Sequence, residues 1–429
     1  MIRTCLPLAF IASTFLPSTS AAAIERISVA SGGGQANDQS RYAAISGDGR
    51  YVTFISDATN LVAGDTNAMQ DVFLRDRQLG TTTRISNKSG GSQSDGPSYP
   101  AEISGDGSRI VFASHGQLLP NAGYQNCYLF ERSTSTLSIL DTLANGAPAT
   151  TCDSVSIDYR GTRVALVSRD GLVSGDTAGI DVYVRDLATG AKRRISLAPA
   201  GVPANGSNSD ARISADGSHV LFASVATNLV AGDSNGEPDL FLASSDNSTA
   251  VTRVNVGPGG VQASAPGGTD YLAALNANGS LLAFSSKAQS LPDWTEFAEA
   301  TLYLRIPSAD QTFALSIPDD NLPREGWSYE PDFDYSGRYL VFASTDVQFA
   351  GAEPGIYVLD LVQGLIALVS VNGNSANVHR PRLSADGTGI VWFSLSTSQV
   401  PGDTNGTWDV FYADNPVYDD TLFADGFDG

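Results

Sequence analysis

The sequence is short of cysteine, methionine, histidine and positive charge. Its 429 residues include three Cys, two Met and three His, and 46 acidic residues outnumber 25 basic ones, for a net charge of −21. This excess of acid argues against a nucleic-acid-binding protein, because phosphate contacts need clustered Lys and Arg. The sequence also lacks an apolar run of the roughly 20 residues that a membrane-spanning helix needs. We therefore expect neither a nucleic-acid partner nor a transmembrane segment.

The N-terminus has the three parts of a secretory signal peptide. Arg3 supplies the positive charge, residues 6–16 form a short apolar core, and Ala21, Ala22 and Ala23 fit a small-residue cleavage site. We predict that residues 1–23 are a signal peptide and that the mature protein is exported, either to the periplasm or out of the cell. A short membrane anchor is the alternative.

Glycine is abundant, with 43 residues, and one glycine-containing turn recurs along the whole chain. Its copies read SGDG, SGDG, DYRG, SADG, NANG, DYSG and SADG. Their glycines, 50 to 62 residues apart, stand at positions 49, 107, 161, 217, 279, 337 and 387. Near-constant spacing of this kind indicates one supersecondary unit copied around an array.

Each unit reads as four strands. An apolar run such as YVTFIS follows the turn and predicts a strand buried on both faces. A segment such as DVFLRD follows and alternates better, so we expect it to be partly exposed. A polar-then-apolar segment such as TTTRIS suits an outer strand, and the segment before the next turn is the innermost strand. Seven such units predict an all-β, seven-bladed β-propeller over residues 24–414.

The seventh unit, residues 382–414, lacks its outer strand. Residues 25–29, ERISV, resemble the outer segment TRIS at residues 83–86. We therefore predict that the N-terminal strand closes the last blade and removes the exposed sheet edges. Residues 415–429 form an acidic C-terminal tail, which is either a sorting tag or a frayed end.

A second pattern gives these units a family resemblance. The pattern V-x-G-D-x-N, followed by D-V-F or D-L-F, stands at residues 62–73, 230–241 and 400–411, each after an S-x-D-G or similar turn and an apolar strand. In these features the chain resembles the TolB-like (WD-like) β-propeller repeats of exported bacterial proteins. The resemblance implies the fold over almost the whole mature chain and carries little information about function.

The loops of this pattern are acidic, with the form D-x-N-x-x-x-D. Oxygen atoms at alternate positions of a tight loop suit a hard cation such as calcium, although no bidentate glutamate stands at the EF-hand distance. The alternative is that Asp and Asn cap the turn by bonding backbone N–H groups. Calcium is the one candidate cofactor. Its candidate ligands are Asp65, Asn67, Asp71, Asp233, Asn235, Glu237, Asp239, Asp403, Asn405 and Asp409.

The innermost strands supply candidate ligand-binding residues. Small apolar residues alternate with polar ones ahead of each turn, and side chains alternate faces along a strand, so the polar set should line the central channel. Its candidate ligand-binding members are Tyr42, Arg212, Glu330, Asp332, Arg380 and Arg382. Arginines could receive a carboxylate or an acidic sugar. The alternative is that they pair internally with Asp210, Glu330 and Asp332.

No catalytic signature emerges from the sequence. There is no G-x-S-x-G elbow, and strand direction should place His219 at the opposite end of the propeller from His115 and His379. We expect a monomeric binding module for a protein, peptide or glycan partner rather than an enzyme. The alternative is a carbohydrate-active lyase or hydrolase that uses carboxylates at the channel mouth. Cys127 and Cys152 open strands on one face of adjacent blades, so they form either a disulfide or two buried thiols.

Overall fold

A computed structural model describes residues 14–15, 23–176, 179–246, 251–263, 273–292, 300–315, 326–345, 354–371 and 378–419. Within them the chain forms seven four-stranded blades arranged in a ring, with almost no helix. The predicted all-β, seven-bladed propeller is confirmed.

Each blade begins with an innermost strand at the channel and ends with an outermost strand at the rim. In that order, blade 1 consists of β3 Ser40–Ile45, β4 Tyr51–Ser56, β5 Asp71–Asp76 and β6 Thr81–Arg84, and blade 2 of β7 Ser98–Ile103, β8 Arg109–Ser114, β9 Asn126–Glu131 and β10 Thr136–Ile139. Blade 3 consists of β11 Cys152–Ile157, β12 Arg163–Ser168, β13 Asp181–Asp186 and β14 Lys192–Arg194, and blade 4 of β17 Asn208–Ile213, β18 His219–Ser224, β19 Asp239–Ser244 and β20 Val251–Arg253. Blades 5 to 7 consist of β21 Ala273–Leu275, β22 Leu282–Ser286, β23 Thr301–Ile306 and β24 Gln311–Ala314; β25 Ser328–Phe333, β26 Tyr339–Ser344, β27 Gly355–Asp360 and β28 Leu365–Val371; and β29 Val378–Leu383, β30 Gly389–Ser394, β31 Asp409–Asp414 and β2 Glu25–Arg26.

Short elements complete the part of the chain that the structure describes. A two-residue strand, β1, pairs in parallel with β28, and β15 and β16 form a small hairpin between blades 3 and 4. These strands and the 3-10 turns are β1 Thr14–Phe15, β15 Leu197–Ala198, β16 Val202–Pro203, η1 Pro199–Gly201, η2 Pro258–Gly260 and η3 Pro307–Ala309.

The core lies between the blades: one buried apolar cluster contains Phe54 and Phe73 of blade 1 together with Val391 and Phe393 of blade 7. An aromatic residue of the second strand stacks on one of the third, as Phe54 does on Phe73 with ring centroids 5.6 Å apart. The same pairing recurs between Phe222 and Phe241 at 5.9 Å. The expectation of partly exposed third strands is wrong: all six residues of β5 are buried, because neighbouring blades cover both faces and the outer strand covers the edge.

The N-terminal segment closes the ring as predicted. Strand β2 pairs antiparallel with β31, with Glu25 opposite Tyr412 and Arg26 opposite Phe411. The ladder continues when the backbone N–H of Ile27 donates to the carbonyl of Val410 at 2.8 Å. Residues from the two ends of the described chain therefore share one sheet.

A disulfide joins blade 2 to blade 3. It links Cys127 at the start of β9 to Cys152 at the start of β11, with Cα atoms 5.6 Å apart and 25 residues of sequence separation. Closing a loop of that length stabilises the folded state by about 3.5 kcal/mol on the chain-entropy scale.

The two ends of the chain are only partly described. Of the predicted signal peptide (residues 1–23), the structure describes Thr14, Phe15 and Ala23, and the tail (residues 415–429) is described as far as Asp419. Both assignments therefore stay predictions. No helix in the described ranges is long and apolar enough to cross a membrane.

Candidate functional site: the central channel and its mouth

The inner strands of all seven blades run in the same direction and give the disc two distinct faces. The glycine turns that follow them define the lower face, and the residues that precede them define the upper face. His115 follows β8 and His379 lies near the start of β29, so both are on the upper face. His219 opens β18 on the lower face, where the alternation of strand direction predicts it.

The lower end of the channel is narrowed by a collar of backbone hydrogen bonds between the turns of successive blades. Gly47 N–H donates to the Gly105 carbonyl at 2.8 Å, Gly105 N–H to Tyr159 at 2.7 Å, and Tyr159 N–H to Ala215 at 2.9 Å. The rings of Tyr159 and Tyr335 meet across this end with centroids 5.1 Å apart.

Glycine is required where the collar packs on Tyr159. A Cβ atom on Gly47 or Gly105 would overlap the Tyr159 ring. The tyrosine lies flat on these two turns because they carry no side chain.

A β-bulge interrupts the inner strand near the upper face in several blades. In blade 1 the pairing register shifts between Arg41 and Ala44, and the same shift recurs in blades 4, 6 and 7. The bulged residue adopts a left-handed backbone, with φ between 49° and 56°, at Tyr42, Asp210, Glu330 and Arg380. A non-glycine residue in this conformation costs on the order of 1–3 kcal/mol, and such strain concentrates at functional sites.

Below the bulges, four charged side chains face one another across the channel. Arg382 lies between two carboxylates: its Nη1 is 3.4 Å from Oδ1 of Asp332, and its Nη2 is 3.5 Å from Oε1 of Glu102. Oδ2 of Asp332 also accepts the N–H of Leu383 at 3.0 Å. The fourth charged side chain, Arg212, lines the lower cavity of the channel together with Glu102, Asp332 and Arg382. Burial raises the pKa of Asp332, and the charges of Arg382 and Arg212 oppose that rise.

A second cluster forms at the bulge level. The guanidinium of Arg380 lies 4.5 Å from the centre of the Tyr42 ring, and its Nε is 3.6 Å from Oε1 of Glu330. The other oxygen of Glu330 accepts the backbone N–H of Arg380 at 2.5 Å and lies 3.6 Å from Nδ1 of His379. Arg380 and Arg382 thus pair internally with Glu330 and Asp332, which was the alternative for these arginines.

Two charged residues at the upper mouth of the channel, Arg212 and Asp210, differ from the others because their side chains are unpaired among the residues that the structure describes. Within the described ranges, no ion pair or hydrogen bond engages the side chain of Arg212 or of Asp210. Burial, followed by the charge of Arg382, lowers the pKa of Arg212 to about 10. Both residues are on β17 and both line the upper cavity, whose volume is about 180 Å³. The predicted internal partner Asp210 is therefore not paired with an arginine.

The acidic loops form a different arrangement from the predicted one. In blade 1, Nη1 of Arg84 lies 2.9 Å from Oδ1 of Asp65 and 3.2 Å from Oδ2 of Asp71. Asn67 donates its amide N–H to Asp71 at 3.3 Å, while its oxygen accepts the N–H of Met69. A buried guanidinium therefore bridges the two carboxylates, and the asparagine oxygen is used by its own loop. We call this arrangement the arginine clamp.

The clamp recurs in blades 3, 4 and 7. Arg253 lies 3.2 Å from Asp233 and 3.1 Å from Asp239, and Asn235 donates to Asp239. In blade 3 the clamp consists of Arg194 with Asp176 and Asp181. In blade 7 it consists of Arg26, from the N-terminal strand, with Asp403 and Asp409, and Asn405 donates to Asp409.

The sequence contains a signal for these arginines, although they were not among the predicted site residues. Three of the four clamp arginines stand in the triplet R-I-S of an outer strand, and the fourth in R-V-N. The triplets occur in the blades that have the acidic loops. In the described parts of the chain, no group of three or more His, Cys, Asp or Glu is placed to hold a metal ion, so the calcium assignment, including Glu237, stays a hypothesis.

Blade 2 has neither the acidic loop nor the clamp. Asn126 stands where blade 1 has Asp71, and it donates to the buried carboxylate of Asp141 at 2.8 Å. Burial raises the pKa of Asp141 to about 7. The disulfide from the adjacent Cys127 anchors this corner of the blade instead.

Comparison with known proteins identifies the fold. No protein-family model matches the sequence, and no curated protein matches it. Solved β-propellers do. An oligogalacturonate lyase in complex with manganese aligns with a TM-score of 0.57 and 16% identity over 93% of this chain and 95% of that one. An oligogalacturonate lyase from Vibrio parahaemolyticus aligns with a TM-score of 0.53 and 13% identity over 88% and 90%.

TolB from Acinetobacter baumannii is also among the matching structures, with a TM-score of 0.41 and 14% identity over 77% of this chain and 62% of that one. The seven four-stranded blades bear out the predicted resemblance for the propeller fold, and the assignment to TolB-like repeats stays a proposal. At these identities the similarities show the fold alone.

Proposed function

We propose that this protein is an exported, monomeric binding module that takes an acidic group of a protein, peptide or glycan partner into the upper half of its channel. The observation that carries the proposal is Arg212, a cation facing a cavity without an ion-pair partner among the described residues. Arg212 is half-buried, and the charges of Glu102 and Asp332 favour its charged form without an ion pair to either, so its guanidinium is free to receive the anion of a ligand.

The surroundings of Arg212 support the same conclusion. Arg382 lies close enough to lower the pKa of Arg212 by its charge. The protein has almost twice as many acidic as basic residues, yet three arginines, Arg212, Arg380 and Arg382, converge on one cavity. The acidic residues of its lining are Glu102, Asp153 and Asp210. A planar guanidinium binds a carboxylate through two parallel hydrogen bonds. The site is therefore suited to a carboxylate-bearing ligand.

Replacing Arg212 tests the proposal. Calorimetric titration would compare free-acid hexapeptides and oligogalacturonates with their neutral counterparts, peptide amides and maltotriose. We expect at least one carboxylate ligand to bind, and Arg212→Gln to weaken it about tenfold or more, because a charge-assisted hydrogen bond contributes about 1.5–3 kcal/mol. The matched control is Arg160→Gln, an exposed arginine in a lower-face turn. Undiminished binding by Arg212→Gln, or no carboxylate binding at all, would contradict the proposal.

The second candidate function is a carbohydrate-active enzyme, a lyase or hydrolase. It is favoured by Asp332, whose carboxyl group has a pKa raised by burial inside the channel, as a general acid needs. Incubation with a panel of neutral and acidic polysaccharides, followed by chromatography, separates the two functions. Product that forms with the natural protein and disappears with Asp332→Asn, while binding persists, would establish the enzyme. Binding without product supports the binding module.

A further inference from the structure

The two unpaired charges at the mouth have opposite signs and lie two residues apart on one strand. Asp210 and Arg212 both belong to β17, and a strand advances about 3.3 Å per residue. Side chains two residues apart on a strand share a face, and both of these side chains line the same upper cavity. The Cα atoms of the two residues are thus about 7 Å apart at most, and a ligand that satisfies both charges carries an anionic and a cationic group close to each other.

The two charges lie at different depths. Arg212 lines the upper cavity and also the lower one, which ends at Tyr159 and Tyr335. Asp210 lines the upper cavity and not the lower one. The anionic group of the ligand is therefore the deeper group, and its cationic group lies nearer the upper face.

The upper cavity continues into a groove between blades 3 and 4. The groove, of about 270 Å³, shares Asp153, Ser154 and Asp210 with the channel mouth and extends to Val225, which is 51% exposed. The collar of hydrogen-bonded turns narrows the lower end of the channel. A ligand that fills both cavities therefore inserts one end and lays the following residues along the groove.

The charge of the whole protein selects among such ligands. A net charge of −21 repels a polyanion and attracts a cationic segment over distances of a Debye length. Building on the proposed function, we propose that the ligand is the C-terminal end of a peptide with a basic residue among its last three positions. Arg212 and Arg382 bind the terminal carboxylate, and Asp210 binds the basic side chain.

A peptide array tests this assignment. Random hexapeptides are anchored through their N-termini, with C-termini either free or amidated, and are probed with the labelled mature protein. We expect binding to free-acid peptides enriched in Lys or Arg at the last three positions, and at least tenfold weaker binding to the amides, because a full charge-assisted contact is lost. In solution, Asp210→Asn should remove the preference for the basic residue, and Arg212→Gln the preference for the free carboxylate. Arg160→Gln should change neither.

The outcomes separate this inference from the function on which it rests. Equal binding to acids and amides, or enrichment of acidic side chains, would overturn the peptide assignment. If an oligogalacturonate trimer binds in an Arg212-dependent manner while no peptide does, anion binding stands and the peptide inference fails. Failure of every carboxylate probe would remove both.

Discussion

Deletion of residues 24–30 should abolish most of the stability of the propeller. The deletion removes Ile27 and Ser28, which are fully buried, and the clamp arginine Arg26, which leaves Asp403 and Asp409 without their cation. The lost apolar burial and the uncompensated charges together amount to on the order of 5–10 kcal/mol. This is comparable to the whole stability of a typical domain. Guanidinium unfolding of the mature protein, followed by tryptophan fluorescence, would measure the loss.

Point variants localise this effect. Ile27→Ala should cost about 2–5 kcal/mol because it leaves a cavity between β31 and blade 1, whereas Leu79→Ala, at a side chain that is 68% exposed, should stay within about 0.5 kcal/mol. A deletion variant that unfolds at the same guanidinium concentration as the mature protein would show that the N-terminal strand does not hold the ring together.

Removing one clamp arginine should be the most damaging single charge substitution. In Arg84→Met the carboxylates of Asp65 and Asp71, which are 7% and 0% exposed, lose their shared cation. Breaking a buried pair from one side costs about 3–5 kcal/mol. Arg169→Met, which removes a pair with the exposed Asp153, is the matched control and should cost no more than about 1 kcal/mol.

The cost of Arg84→Met should depend on pH in a defined direction. Burial already raises the pKa of Asp71, and the charge of Arg84 opposes that rise. Without Arg84 the folded-state pKa rises further above the unfolded value of about 3.9. The folded variant then binds more protons than the unfolded one at mildly acidic pH, so its stability falls as pH increases from about 4. Denaturation curves at pH 5 and pH 8 should therefore differ more for Arg84→Met than for the natural protein.

The same variant separates the clamp from the calcium hypothesis. If the guanidinium is the counterion of the loop, a chelator leaves the unfolding midpoint of the natural protein unchanged, and Asp65→Asn with Asp71→Asn partly restores Arg84→Met. If calcium occupies the loops, a chelator lowers the midpoint and calcium titration releases heat. That result would reassign Asp65, Asn67 and Asp71 as metal ligands.

The number of blades and their closure were accessible from sequence because both depend on local patterns. A turn glycine that needs positive φ, as Gly49 and Gly217 have, recurs with the blade, and strand periodicity is read from adjacent residues. The outer-strand segment at residues 25–29 matched the one missing from the last unit. Alternation also placed Arg212, Asp332 and Arg382 in the channel, where they line one cavity.

Tertiary structure alone decided how those charges combine. No glycine marks the bulges at Tyr42, Asp210 and Glu330, whose left-handed backbone is imposed by pairing with the second strand. The partner of each charge depends on which blade faces it across the ring. The distance between two side chains in the channel is unrelated to their separation in the sequence. For that reason Arg382 is paired while Arg212 is not, and each acidic loop contains a guanidinium from the outer strand of its own blade.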